Sequence, residues 1–490
     1  MIKVRERLET ERITHAIDTS DLHKETFGQY FTPYPIAQFM ASLFPITNND
    51  VHLLDPGAGI GVLTCAFLER IKNEKWHVPN IDITAYDIDS TVCDTLRENI
   101  SYAAYSFENA NIEILNTDFL DKTSFDFTWN IHKKYTHVIM NPPYKKIQTC
   151  SKEREEARAF GLETVNLYSA FMGAAIALTE KKGYIVAIVP RSFCNGVYYK
   201  PFRQFILKNC SIKHIHLFES RNQAFKDESV LQENIIIMLQ KETAQDNVTV
   251  TYTENAIFKN METLSVPFQQ ILNPKDKEAY FNIPTQIKED EFINNSFTSI
   301  KQLGIQVSTG PLVDFRLKYV LHKDYAEGLV PLIYPVHLRN CKLEWPKESK
   351  KPNAIAPIEG IRKQLFPKGY YVLVKRFSTK EEKQRVVASL ITPKDFITDT
   401  MAFENHLNVF HVNKSGLPEE LAYGLIVWLN TSYVDEKFRL FSGHTQVNAT
   451  DLRNLPYPPV EILAGMGRKV KTISLWDQKQ FDLIVKGYVE

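Results

Sequence analysis

Long apolar runs are missing from this chain. None approaches the roughly 18 residues that a membrane span needs, and the N-terminus, MIKVRERLET, is charged from its third residue. Neither a signal peptide nor a membrane anchor is expected, and the chain reads as cytoplasmic. Cysteine is scarce: Cys65, Cys93, Cys150, Cys194, Cys210 and Cys341 form no C-x-x-C pair and have no histidine at metal-ligand spacing. Reduced thiols are expected, with no disulfide framework and no metal site. Net charge is also absent, 58 Lys and Arg balancing 58 Asp and Glu. No internal repeat or low-complexity segment interrupts the sequence.

What is there has the mix of a globular protein, 44% hydrophobic and 24% charged. At 490 residues it exceeds one ordinary core, so two domains are expected. From Val51 to Gln240 short runs rich in branched residues (VHLLD, IDITAYD, IEILNTD, THVIMN, YIVAIVP, IKHIHLF, NIIIML) alternate with helix-length amphipathic stretches. That alternation predicts an α/β domain with a doubly wound, mostly parallel Rossmann-like sheet over residues 1–260. After Lys241 the alternation stops, strands shorten, and Pro and aromatic residues become frequent. A second domain of mixed α/β character is expected over 290–490, behind a solvated linker, KEDEFINNS. Residues 301–400 hold 18 Lys and Arg against 10 Asp and Glu. Such an excess suits a polyanion, or a solvated face without a partner.

In doubly wound sheets ligands sit at the carboxyl ends of strands, and polar residues gather there. Asp55-Pro-Gly-Ala-Gly-Ile-Gly61 follows the first strand and opens a helix. Gly57, Gly59 and Gly61 let the backbone turn tightly and approach a ligand, a device dinucleotide enzymes share. Asp87, after the second strand, can accept both ribose hydroxyls of an adenosine moiety; nearby Asp89 suits a helix N-cap. Asp118 ends the third strand, where it can accept an adenine amino group. Phe119 beside it either stacks on that ring or packs in the core.

Asn141-Pro142-Pro143-Tyr144 follows the fourth strand and is the most specific signal in the chain. An exocyclic amine is a poor nucleophile because its lone pair is delocalised into the ring. Accepting both amine protons, one at the Asn141 side-chain oxygen and one at the Pro142 carbonyl, favours a tetrahedral, nucleophilic nitrogen. Two prolines keep the acceptors aimed, and Tyr144 offers a stacking face.

Taken in order, GQYFTP, DPGAGIG, AYDID, NTDFL, NPPY and NLYSAF resemble the gamma-class DNA adenine-N6 methyltransferases of restriction–modification systems. The resemblance covers about the first half of the chain. It implies S-adenosyl-L-methionine as cofactor, double-stranded DNA as partner, and a target base flipped out of the helix. It places Thr32 near the methionine part of the cofactor. A second aromatic that sandwiches the target base matches Phe225, more loosely than NPPY matches. Segments Gly304–Arg316, Glu404–Phe410 and Ser442–Pro458 are similar to the family's target-recognition domain. Within that domain Lys375, Arg376, Gln446, Asn448 and Arg453 are candidates for reading DNA, being residue types that match purine edges and phosphates. No acidic-acidic-lysine nuclease signature precedes the motifs, so a cognate endonuclease is expected as a separate chain. The branch suggested is one acting on six-base palindromes such as CTGCAG. Protein glutamine-amide, RNA-adenine and DNA cytosine-N4 methylation remain rivals, as does a non-catalytic DNA-binding subunit.

Overall fold

Four six-residue apolar runs, each leading into a polar turn, form the first strands: β1 (Val51–Pro56), β2 (Ile81–Tyr86), β3 (Ala110–Leu115) and β4 (Tyr135–Met140). The computed structural model describes residues 2–18, 31–218, 233–253, 258, 261–274, 276–284, 297–378, 382–441 and 446–489. The chain divides into two compact units, Met1–Ile287 and Lys288–Glu490.

In the first unit β5 (Thr179–Pro190), β6 (Cys210–Phe218), β7 (Asn234–Lys241), β8 (Val248–Thr253) and β9 (Glu262–Val266) complete one sheet in the order β3-β2-β1-β4-β5-β7-β6-β8-β9. The pairs from β3 through β5 are parallel, whereas β7 runs antiparallel to both β5 and β6. The sequence locates β1 to β7; it misses β8 and β9, which join the same sheet without intervening crossover helices.

Side chains alternate between two cores, one on each face. Ile139, Val186 and Ile188 pack with α1 (Tyr34–Ser42), α2 (Val62–Asn73) and α3 (Cys93–Ala104). Val138, Met140, Ile185 and Ala187 pack with α4 (Phe119–Thr128), α5 (Leu167–Leu178) and α6 (Lys200–Asn209). A sheet buried on both faces requires apolar runs rather than strict alternation. The central strands β1, β4, β5 and β7 show such runs, whereas the edge strand β3, ANIEIL, is only half-buried. Chain order reverses between β1 and β4, and a crevice opens at the strand ends there.

The second unit is mixed α/β. Gln306–Thr309, Leu407–His411, Tyr371–Lys375 and Ala388–Ile391 form an antiparallel sheet in that order, beside a five-stranded sheet of shorter strands. Helices α7 (Glu419–Leu429) and α8 (Val460–Val470) approach closely, because a Cβ on Gly424 would lie 2.0 Å from the Leu463 carbonyl oxygen. Among the described residues no helix is long and apolar enough to cross a membrane. All six cysteines are unpaired.

At the end of β5, Arg191 Nη1 donates to Glu233 Oε1 at 2.7 Å, and both side chains are buried. The Arg191 backbone N–H also donates to the Glu233 carbonyl, so the start of β7 is pinned to the end of β5. Removing one partner strands the other charge in the interior. Arg191→Met should cost about 3–5 kcal/mol of stability, and adding Glu233→Met should recover most of it. Urea unfolding of the two variants measures both; equal losses would mean that burial of charge does not govern this joint.

Candidate active site

β1 ends in a turn that the structure fastens to β2: the Gly57 and Ala58 N–H groups both donate to the Tyr86 carbonyl, at 2.9 and 2.8 Å. Gly57, Gly59 and Gly61 all have positive φ, at 75°, 55° and 84°. At Gly61, where α2 begins, a Cβ would also come within 2.9 Å of Leu96, so that glycine serves helix packing. Above the turn lies a cavity of about 240 Å³ whose lining includes Thr32, Gly57, Gly59, Asp87, Asp118, Phe119 and Asn141. Five strand ends and loops far apart in sequence thus meet. Asp55, Gly61, Pro142 and Tyr144 are not in the lining.

The carboxylates differ in their duties. Asp55 is fully buried beneath the turn and accepts a 2.7 Å hydrogen bond from Thr64 Oγ1, tying the strand end to α2. Burial pushes its carboxyl up to about 7, an effect that Thr64 opposes and Asp87 reinforces. Asp87 accepts from the Gly59 N–H at 2.7 Å and from the Asp89 N–H at 2.9 Å, one on each oxygen. A carboxylate has about four acceptor sites, more than its backbone donors fill, and Asp87 lines the cavity. Burial pushes Asp87 up to about 6 against the pull of those two donors. Asp118 caps α4, its Oδ1 accepting from the Leu120 and Asp121 N–H groups. Asp89 is not the N-cap of α3, which is Val92. It accepts from the N–H and hydroxyl of Thr91, forming a turn ahead of the helix. Phe119 is buried against Tyr86 and Phe171, as a core residue would be, and it also lines the cavity.

Asn141 leaves β4 into the cavity wall. Its Nδ2 donates to Thr32 Oγ1 at 3.1 Å, and the Tyr144 hydroxyl lies 2.9 Å from its Oδ1 and 3.1 Å from the Ile188 carbonyl oxygen. The carboxamide is therefore oriented at both ends. Past Tyr144 the chain is held to the start of α5: Leu167 N–H donates to the Lys145 carbonyl at 2.8 Å, and Ile147 N–H to that of Val165 at 3.1 Å. The NPPY and NLYSAF segments thus form one bracket. Phe225 lies outside the described residues.

Sequence reasoning gives no role to Phe31, Lys145, Glu153 and Phe171, which also line the cavity. Three of these sit inside or next to recognised motifs, a signal that adjacency offers. Glu153 lies in a charged helical segment, Lys152–Ala159, and has no such signal.

This geometry has relatives. The Eco57I restriction-modification methylase family matches residues 48–225. Type II methyltransferase M.BsuBI of Bacillus subtilis is 44% identical over 479 residues, 96% of this chain and 95% of its own length. The chain belongs to the type II methyltransferases of restriction–modification systems. M.PstI of Providencia stuartii is 39% identical, over 94% of this chain and 92% of its own. The type IIL restriction–modification enzyme MmeI, solved with DNA, shares the fold with a TM-score of 0.51 at 12% identity, across 90% of this chain and 69% of that one.

A DNA methyltransferase of this kind uses S-adenosylmethionine as cofactor, and the cavity's donor set fits it. Spare acceptor capacity on Asp87 and Asp118 suits hydroxyls and an amino group, and the Phe119 and Phe171 rings suit an adenine face.

In the second unit, two of the candidates for DNA contact are engaged internally. Asn448 gives its backbone N–H and its Nδ2 to Asp451 Oδ2, at the start of helix Ala449–Arg453. Arg453 gives Nε and Nη2 to the Val307 carbonyl, at 3.0 and 2.6 Å. These bonds satisfy backbone and helix-end groups, while Arg453 itself stays exposed and Asn448 half-buried. Lys375 ends its strand half-buried, and burial lowers its ammonium pKa. Arg376 and Gln446 share a hydrogen bond at 3.4 Å.

Two results follow from these distances. Thr32→Val removes the acceptor for Asn141 Nδ2 at almost constant shape. It should slow single-turnover methyl transfer about tenfold, the equivalent of one lost hydrogen bond. KM for DNA should stay unchanged, and Thr32→Ser should restore the rate; a Ser variant as slow as Val would assign Thr32 a packing role only. Asp55 holds its proton in the folded chain up to about pH 7, whereas an unfolded aspartate releases it near pH 4. The unfolded state then binds fewer protons across that window, so stability falls as pH rises through it. Between pH 5 and pH 8 the wild type should lose stability relative to Asp55→Asn in denaturant titrations; parallel pH profiles would mean Asp55 is ionised throughout.

Proposed function

We propose that this enzyme transfers the methyl group of S-adenosylmethionine to N6 of adenine in double-stranded DNA, at a specific site and with the target base flipped out of the helix. The observation that carries this reading is the Asn141 carboxamide, whose Nδ2 is engaged by Thr32 and whose Oδ1 is directed to the side where the NPPY loop leaves β4. Residues 1–260 would bind cofactor and carry out transfer, and residues 290–490 would recognise the DNA target. Thr32, Gly57, Gly59, Asp87, Asp118 and Phe119 would hold the cofactor, with Asp55 and Gly61 shaping the turn from beneath.

S-adenosylmethionine supplies an electrophilic methyl group on a sulfonium centre. Asn141 Oδ1 and the Pro142 carbonyl accept hydrogen bonds from the two amine N–H groups and stabilise the positive charge that grows on nitrogen. Its lone pair bonds the methyl carbon as the carbon–sulfur bond breaks, leaving a neutral thioether, and the nitrogen then gives up one proton to solvent. The Tyr144 hydroxyl has one proton and two acceptors within reach. By turning to the Ile188 carbonyl it frees Asn141 Oδ1 without leaving a buried donor unmade. The Tyr144 ring then supports one face of the base, and Phe225 would cover the other.

Relatives matching more than nine-tenths of the chain carry type II methyltransferase names, which favours DNA over RNA or a protein glutamine as substrate. Asparagine at position 141 favours adenine N6 over cytosine N4. A six-base palindrome such as CTGCAG is the first sequence to test, with a cognate endonuclease as a separate chain in the same cytoplasm.

Asn141→Ala should reduce single-turnover methyl transfer by about 10²–10³, the usual loss for one preorganised electrostatic partner. Cofactor affinity by calorimetry should hardly change, because the carboxamide acts on the transition state more than on the ground state. Nucleoside mass spectrometry of DNA modified by the wild type should show N6-methyladenine. N4-methylcytosine, or an Asn141→Ala variant at close to the wild-type rate, would refute the reading.

A further inference from the structure

Three segments of the second unit, distant in sequence, meet at one end of its antiparallel sheet. Arg376 and Phe377 leave the strand Tyr371–Lys375, Glu404–His406 lead into the strand Leu407–His411, and Gln446–Asn448 lead into the helix Ala449–Arg453. Arg376 is the knot. Its backbone N–H donates to the His406 carbonyl at 3.0 Å and its carbonyl accepts from the Val447 N–H at 2.7 Å. Its Nη1 donates to the Asn405 carbonyl at 2.8 Å and its Nη2 reaches Gln446 Oε1 at 3.4 Å.

On this fixed base Phe377 stands in solvent, 53% exposed. Its ring lies 5.2 Å from that of His406, inclined by 33°, and its backbone bridges to Gln446. The His406 ring is held from behind, its Nδ1 2.5 Å from Glu404 Oε1, with the Glu404 side chain fully buried. Glu404 is the one carboxylate in these three segments, and it faces inward. What remains outward is cationic or carboxamide-bearing around a single projecting ring, within a stretch, 301–400, of 18 Lys and Arg against 10 Asp and Glu.

Such a surface suits a polyanion whose interior is stacked rings. We propose that Phe377, backed by His406 and flanked by Arg376 and Gln446, inserts against a base step of the bound duplex. The inference rests on the DNA-methyltransferase reading above and adds to it the residue that enters the base stack. An aromatic ring is favoured over a cation for this task because it can replace a lost base–base contact. A ring held rigidly by its neighbours also enters with little ordering cost.

The test uses the full chain with a short fluorescein-labelled duplex bearing the site found by methylation sequencing. Affinity is measured by anisotropy across a salt series. Phe377→Ala should weaken binding about tenfold or more while the slope of log affinity against log salt stays that of the wild type, because a ring releases no counterion. Phe377→Trp should bind like the wild type. Cofactor affinity and the thermal unfolding profile of the full chain should be unaltered in both variants, showing that both units remain folded. Binding of Phe377→Ala within twofold of the wild type would overturn the proposal. So would a loss accompanied by a slope change of about one, which would mean this rim works through phosphate contacts. A wild-type chain with no affinity for duplex DNA would overturn the methyltransferase reading as well, whereas normal wild-type methylation with an indifferent Phe377→Ala overturns this inference alone.

Discussion

β1 and β4 are neighbours in the sheet, Leu53 against His137 and Leu54 against Val138, though some eighty residues separate them. Everything at the site depends on that pairing. A parallel pair needs a crossover, and right-handed crossovers place successive strands to one side until the order reverses. Here the reversal falls between these two strands, so the glycine turn after β1 and the NPPY loop after β4 leave the sheet side by side. Neither loop is long enough to find the other by itself. The register of two apolar strands, buried on both faces, positions the turn and the loop that line the crevice.

Because the crevice is assembled from strand ends, its polar groups carry structural duties alongside chemical ones. Asp118 ends β3, caps α4 with one oxygen and presents the carboxylate to the cavity. Asp87 ends β2, holds Gly59 in its turn and keeps acceptor capacity in reserve. Thr32 and Tyr144 fix the Asn141 carboxamide from its two ends. Each side chain is aimed by a bond that exists before any ligand arrives, which is the condition for electrostatic preorganisation. Flexible acceptors would have to be ordered during the reaction, and much of their effect would be lost to that ordering.

The same logic explains what was legible in the sequence. The central strands among β1 to β7 are readable because burial on both faces demands continuous apolar runs, and the edge strand β3 because its apolar residues alternate. Their polar ends are readable because the topology leaves those residues nowhere else to act. β8 and β9 escape notice because they lack continuous apolar runs: Val248–Thr253 carries three threonines, Glu262–Val266 is largely exposed, and no helical pattern separates them. The hydrogen bond from Asn141 to Thr32 spans 109 residues, so no local pattern announces it. In the second unit Asn448 and Arg453 have the right residue types for DNA and also hold Asp451 and the Val307 carbonyl. Residue type predicts what a side chain can bind; only the fold shows which internal groups it holds as well.

Desolvation connects the site to the stability of the chain. Two aspartates at neighbouring strand ends, Asp55 and Asp87, are pushed up to about 7 and about 6 by burial, and Asp87 raises the cost of ionising Asp55 further. A folded chain holding both near neutral pH retains unfavourable charge beneath and beside its cavity. A cationic ligand that donates hydroxyl hydrogen bonds relieves part of that cost at Asp87, and through the shared field at Asp55, which it need not touch. Ligand affinity and folding stability are then linked through the same carboxylates, since any group that binds only the folded state stabilises it. Buried carboxylates at these strand ends would favour a cationic ligand over a neutral one of the same shape, because only the first offsets their charge.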